Sequence, residues 1–144
     1  MYLGQQAIEA QDLKLAERLF EEVLADQAVN AVAQNNLAWL QMRLGKPEAL
    51  ASAQRALSLA PGSAAVMDTV AAVHASRKDW TEALSMQRRA LAADPGNMLH
   101  RLHLAEYLAR AGQKDEARAE LERIDMKPLT PALQARWRAL KAEL

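Results

Sequence analysis

The sequence predicts an all-α protein in which helical hairpins of nearly constant length stack side by side as an α-solenoid. Two sets of apolar residues recur in phase, one with steps of 33, 34 and 34 residues and one with steps of 34, 33 and 34: Ala16, Ala49, Ala83 and Ala117, and Leu3, Leu37, Val70 and Leu104. Pro61 and Pro95 also lie 34 residues apart. A period near 34 indicates repeated units of two helices each.

Residues 64–97 show how one unit is built. Three valines spaced four and three residues apart place one side of its first helix in the core: Val66, Val70 and Val73. A second helix begins near Trp80 and stops at Asp94, because Pro95 disfavours helical geometry in the residue before it. Asn97 then caps the next helix through its side-chain oxygen.

In chain order the sequence predicts a single domain, residues 1–144. It consists of a truncated repeat, three full repeats and a capping helix: residues 1–30, 31–63, 64–97, 98–125 and 130–144. Thr130 as N-cap and Pro131 at the first helical position predict where the capping helix begins. Only about two helical turns precede Gln11, so we expect the chain to be a fragment of a longer array.

Composition excludes several classes of function. Lys and Arg equal Asp and Glu at 18 each, so net charge provides no attraction to nucleic acid or an anionic membrane. The absence of cysteine excludes disulfides, thiol catalysis and thiolate zinc sites. No stretch approaches the roughly 20 apolar residues of a membrane span, and the N-terminus does not resemble a signal peptide. Cytoplasm and periplasm are both compatible with this composition.

Several residues in phase carry a family resemblance: Leu3-Gly4, Ala16 and Phe20 in the first unit, Ala49, Ala56 and Pro61 in the second, and Ala83, Ala90 and Pro95 in the third. Over residues 1 to 125 the chain resembles the tetratricopeptide repeat (TPR) family, with its pattern W-x2-L-G-x2-Y…A-x3-F…P. The resemblance implies a right-handed α-solenoid of helix-turn-helix repeats that acts as a protein-interaction module without a cofactor.

The chain departs from the family pattern late in the second helices. The expected bulky aromatic is Phe20 in the first unit, but Ala53, Gln87 and Leu121 stand there afterwards. We therefore expect neighbours such as Leu57 or Met86 to supply the packing.

A narrower resemblance concerns residues 35–73. This stretch is similar to the C-terminal repeats of large bacterial TPR proteins found with exosortase (PEP-CTERM) and exopolysaccharide systems. That resemblance implies a bacterial scaffold protein located in the cell envelope.

In the TPR family the first helices line a concave groove, and the resemblance places a row of residues on its wall. We refer to them as the groove residues: Asn35, Asn36, Trp39, Arg43, Asp68, Thr69, Ala72, Leu102, His103, Glu106 and Arg110. Trp39 would be a rigid aromatic anchor for a partner, although it could instead pack against Gln5 or Ala72. The amides of Asn35 and Asn36 could pair with the backbone of an extended peptide or simply face solvent.

The histidines raise the question of a metal site. His100, His103 and Glu106 are spaced by three, but each step turns the helix face by about 60°, so the three do not easily converge. No other histidine or cysteine is spaced to complete a ligand set, and we expect no metal site. Glu106 and Arg110, at i and i+4, are expected to form a surface ion pair. A structural role is expected for His74.

The sequence favours a binding protein over an enzyme. It has no glycine-rich phosphate loop, no nucleophile elbow and no specific histidine–aspartate constellation. We expect it to bind a peptide or protein segment in the groove, as part of a larger bacterial scaffold, without contacting nucleic acid or inserting directly into a membrane. The alternative is a structural spacer, or a self-association element that forms a weak homo-oligomer through its truncated N-terminal face.

Overall fold

A computed structural model describes the whole chain, residues 1–144, which folds into nine α-helices without any strand. The helices are α1 (Tyr2–Glu9), α2 (Leu13–Asp26), α3 (Ala31–Arg43), α4 (Ala49–Leu59), α5 (Ala64–Ser76), α6 (Trp80–Ala93), α7 (Met98–Arg110), α8 (Lys114–Glu122) and α9 (Pro131–Glu143). The first eight pair into four hairpins, and α9 packs against α7 and α8. We call α1, α3, α5 and α7 the first helices, and α2, α4, α6 and α8 the second helices.

The helix ends lie where the capping residues predict them. Asn97 precedes α7, and its side-chain oxygen accepts hydrogen bonds from the backbone N–H groups of Leu99 and His100. Thr130 caps α9 in the same way, with Pro131 at the first helical position. α6 ends at Ala93, directly before Asp94 and Pro95, as expected from the restriction that proline places on the preceding residue.

Each hairpin turn contains one residue with a left-handed backbone. These residues are Gln11 (φ 60°), Gly45 (φ 69°), Lys78 (φ 63°) and Gly112 (φ 84°), and they recur with the period of the repeat. Glycine adopts this conformation without strain, whereas a residue with a side chain does so at an energetic cost. Two of the four turns therefore carry a strained residue where the other two carry glycine.

Small residues allow the two helices of a hairpin to approach closely. Ala16, Ala49, Ala83 and Ala117, one in each second helix, are all buried. In the first hairpin Gly4 lies against the ring of Phe20, and a Cβ on Gly4 would lie 2.8 Å from Phe20 Cε2. The later hairpins have alanine in place of Gly4 and no aromatic in place of Phe20.

The core runs along the stack as a series of clusters. Phe20, Leu37 and Leu40 belong to the first cluster, and Val70 and Val73 to the next. Two further clusters lie around α7, one of which includes Leu140 of α9. As expected, Leu57 and Met86 pack against the cluster that contains Val70 and Val73. No helix combines the length and hydropathy needed to cross a bilayer.

Candidate binding surface on the first helices

The structure corrects the prediction for two groove residues. Leu102 is fully buried, in the cluster with Leu121 and Leu140, because its position on α7 faces α8 and α9. Thr69 is also buried, and its hydroxyl donates a hydrogen bond to the carbonyl of Ala65 one turn earlier. Neither side chain offers surface to a partner.

The face of α3 carries polar and aromatic side chains that form no hydrogen bond or ion pair with the rest of the fold. Asn35 and Asn36 are both partly exposed residues, and neither side chain forms a hydrogen bond within the protein, although the Oδ1 atom of Asn35 is itself buried. Trp39 is partly buried against the first core cluster. The guanidinium of Arg43 lies 5.2 Å from the centroid of the Trp39 ring, within cation–π range, and forms no ion pair.

A polar cluster joins α5 to α7. Asp68 Oδ1 lies 3.1 Å from His100 Nδ1 and 2.8 Å from His103 Nδ1. The amide of Gln87, from α6, donates to the same oxygen at 2.7 Å and to the carbonyl of His100 at 2.9 Å. Gln87 is 0% exposed, so this cluster extends from the surface of the first helices into the core between two repeats.

Hydrogen bonding keeps Asp68 ionised. Burial raises the pKa of its carboxyl, but hydrogen bonds from His100 and His103, the charge of His103 and the bond from Gln87 together outweigh burial. The pKa of Asp68 is therefore held well below its ordinary value of 3.8. Because an ionised carboxylate only accepts hydrogen bonds, each imidazole donates from Nδ1 in this arrangement.

Sequence reasoning missed the contribution of Gln87 and the meeting of His100 and His103 on Asp68. The spacing of the histidines points to Glu106, on the same helix, as their third partner, whereas the partner in the structure is Asp68, one repeat earlier. The available signal was Gln87, a polar residue at the place where the first hairpin has the buried Phe20.

Two ion pairs connect α7, the last of the first helices, to α9. Glu106 accepts two hydrogen bonds from Arg136, at 3.0 and 2.7 Å, and Arg110 lies 3.3 Å from Glu143. The expected ion pair between Glu106 and Arg110 is thus wrong, because each finds its partner on α9. These residues also line a hollow of about 400 Å³ that Tyr107 borders.

Burial raises the pKa of the Tyr107 phenol above its ordinary value of 10.0, and the charges of Asp68 and Glu106 raise it further.

Antiparallel hairpins that repeat in phase, with one helix of each forming a common polar face, define an α-solenoid of helical repeats. Tetratricopeptide repeat models match residues 3–67 and 74–144. Together they span nearly the whole chain, which therefore belongs to the tetratricopeptide repeat family.

Several solved structures share the fold at low sequence identity. TTC0263, a thermophilic TPR protein from Thermus thermophilus, superposes with a TM-score of 0.90 at 20% identity, over 99% of this chain and 80% of that one. MamA from Desulfovibrio magneticus RS-1 gives 0.76 at 15% identity, over 85% of this chain and 70% of that one. The first TPR of Spaghetti (RPAP3), bound to the HSP90 peptide SRMEEVD, superposes with a TM-score of 0.71 at 18% identity, over 77% of this chain and 89% of that one.

Comparison with curated protein sequences finds no match. The expected relationship with exosortase and exopolysaccharide systems receives no support from the structures and families that do match, and it stays a prediction.

Proposed function

We propose that the protein is an interaction module that binds a peptide or protein segment along the first helices, with α3 as the main contact. The observation that carries this proposal is an asymmetry between α3 and α7. On α3 the side chains of Asn35 and Asn36 form no internal hydrogen bond, and Arg43 contacts the Trp39 ring without forming an ion pair, whereas on α7 Glu106 and Arg110 are paired with α9. Side chains without an internal hydrogen bond or ion pair can bind a partner without first losing such a bond.

The groups on α3 suit a segment in extended conformation. The amide of Asn36 offers both a donor and an acceptor, which matches the N–H and C=O of a peptide backbone, whereas Asn35 Oδ1 is buried and would accept only after its side chain turns outward. Trp39 presents a large rigid surface, and Arg43 beside it adds a positive charge. The neighbouring α5 has only a methyl group at Ala72, the position that corresponds to Trp39, which leaves room for a partner side chain. We therefore expect a partner with an apolar residue close to an acidic one.

The RPAP3 complex supports the class of function. A domain with the same fold is bound there to the short peptide SRMEEVD. At 18% identity that complex supports peptide binding in general and does not identify a partner for this chain.

The test is a peptide selection followed by matched substitutions. Peptides selected from a random displayed library on the wild-type protein are measured by fluorescence anisotropy against the wild type and its variants. Arg43→Ala should weaken binding at least fivefold, whereas Arg110→Ala, at the corresponding position of α7, should leave the affinity unchanged. Trp39→Ala should lose binding and keep its helical circular dichroism. Unfolding of Trp39→Ala would assign Trp39 to packing, and equal effects of the two arginine substitutions would refute the assignment to α3.

A second candidate function rests on the apolar surface at the N-terminal end of the stack. Tyr2, Leu3 and Val32 are exposed, at 75%, 63% and 55% of their surface. We propose, as the alternative, that this end joins a second copy of the chain, so that the protein serves as a spacer or self-association element within a larger bacterial scaffold. Sedimentation velocity should then show a dimer that Leu3→Glu abolishes, and a monomer at all concentrations would refute self-association.

A further inference from the structure

Two histidines and one aspartate from neighbouring repeats place three metal-binding atoms close together. Asp68 lies on α5, while His100 and His103 lie one turn apart on α7. One ligand atom from each of the three residues lies within 4.8 Å of the other two. Asp68 Oδ1 is 3.1 Å from His100 Nδ1 and 2.8 Å from His103 Nδ1. Ligands that are distant in sequence are thus already assembled by the fold.

The set has the chemistry of a transition-metal site. Imidazole nitrogen and carboxylate oxygen are ordinary ligands of Zn²⁺, at about 2.0–2.2 Å, which separates ligand atoms in a tetrahedral site by about 3.4 Å. The observed separations of 2.8 and 3.1 Å from Asp68 Oδ1 are slightly shorter. An ion could therefore enter after small outward movements of the side chains. Each neutral imidazole would then carry its proton on Nε2 instead of Nδ1, which frees Nδ1 to bind the metal in place of the internal hydrogen bond to Asp68.

The buried surroundings orient the carboxylate. Gln87 donates one hydrogen bond to Asp68 Oδ1 and one to the backbone carbonyl of His100, and its own Oε1 is buried without a partner. Hydrogen bonds of this kind from residues behind the ligands fix ligand orientation in metal sites. The fold itself does not require an amide here, because the equivalent positions hold Phe20, Ala53 and Leu121. Packing alone therefore does not account for this fully buried polar residue, which donates a hydrogen bond to one of the three ligands.

The cluster is also reachable from the surface of the first helices. The side chain of His100 is 7% exposed, while those of His103 and Asp68 are 17% and 18% exposed. An ion can approach past the two more exposed ligands, and the remaining coordination position would face solvent.

We propose that Asp68, His100 and His103 bind one divalent transition-metal ion, for which Zn²⁺ is the best match, with water in the remaining position. Bound metal would tie α5 to α7 and so fix the relative placement of the third and fourth hairpins. The proposal is independent of the peptide-binding function, which rests on α3.

Calorimetric titration of the full, chelator-treated chain with ZnCl₂ tests this site. The wild type should bind one equivalent. Asp68→Asn and His103→Gln should each weaken binding at least tenfold, and Gln87→Leu should weaken it about tenfold through loss of ligand orientation. His74→Gln is the matched control, because His74 is the only other histidine and lies outside the cluster, and it should bind like the wild type.

Two further measurements keep the result interpretable. Co²⁺ should give the visible absorption of a four-coordinate site in the wild type and in His74→Gln, but not in His103→Gln. Circular dichroism establishes that each variant is folded, and the partly exposed His103 is the position least expected to affect folding. Failure of the wild type to bind one equivalent, or equal affinity for folded His103→Gln and the wild type, would overturn the proposal.

Discussion

Arg136 on the last helix forms two parallel hydrogen bonds with the carboxylate of Glu106 on α7, from Nε at 3.0 Å and from Nη2 at 2.7 Å. Paired bonds in this geometry are the stronger form of arginine–carboxylate contact. Glu106 is 25% exposed and Arg136 43% exposed, so solvent weakens the interaction. The pair fixes the orientation of α9 more than it stabilises the fold.

A double-mutant cycle measures this pair. Glu106→Ala and Arg136→Ala should each lower the free energy of unfolding by about 0.5–1 kcal/mol, and the double variant should lose less than the sum. Urea unfolding followed by circular dichroism gives the values. Arg138→Ala, on the same helix but without an ion pair, is the control and should behave like the wild type. Strict additivity of the two single changes would mean that the pair contributes nothing.

The left-handed turn residues predict opposite effects of two substitutions. Lys78→Gly should raise the free energy of unfolding by up to about 1 kcal/mol, because glycine relieves the strain at φ 63°. Gly45→Ala should lower it by about 1 kcal/mol through φ alone, since no atom lies within 4 Å of the added Cβ. Urea midpoints compared at constant slope provide the measurement. A loss of stability in Lys78→Gly would show that its side chain contributes more than the turn conformation costs.

The contact between Gly4 and Phe20 predicts a substitution that opposes helix propensity. Alanine favours a helix over glycine by about 1 kcal/mol, yet Gly4→Ala should destabilise the protein by about 1–3 kcal/mol, because its Cβ would overlap the ring. Adding Phe20→Leu should make Gly4→Ala far less harmful than it is in the wild-type background. Thermal unfolding of the wild type, the two single variants and the double variant measures this difference in stability. A higher stability of Gly4→Ala than of the wild type would contradict the contact.

The raised pKa of Tyr107 predicts that the wild type and Tyr107→Phe differ in stability at alkaline pH. Its pKa in the folded state is raised, so its stabilising contribution is present below the ordinary pKa of 10.0 and is lost as the pH rises through the folded-state pKa. Above pH 10 the wild type should therefore lose stability faster than Tyr107→Phe, by up to about 1.4 kcal/mol per pH unit. Urea unfolding between pH 9 and 11 measures this slope. Tyr2→Phe, at an exposed tyrosine, should match the wild type, and identical slopes for Tyr107→Phe would refute the prediction.

The period of the sequence is enough to predict the hairpins, because each helix start and stop depends on nearby residues such as Asn97, Pro95 and Thr130. The binding surface is harder to predict, since its contacts join residues about 30 positions apart. Asp68 meets His103, and Glu106 meets Arg136, only after neighbouring hairpins have taken their relative rotation. Helix periodicity alone does not specify that rotation. For the same reason the buried position of Leu102 could not be read from its spacing on α7.

Gln87 has a consequence for how such an array can evolve. Its amide NH2 group donates to Asp68 on the preceding helix and to the backbone carbonyl of His100 on the following one, and Asp68 also lies within hydrogen-bond distance of the His100 and His103 side chains. Exchange of the fourth hairpin for a copy of another repeat would remove both histidines and leave the Asp68 carboxylate without two of its three hydrogen-bond donors. The third and fourth hairpins are therefore not interchangeable modules. Duplication or recombination could add units elsewhere in the array, but these two must be inherited together.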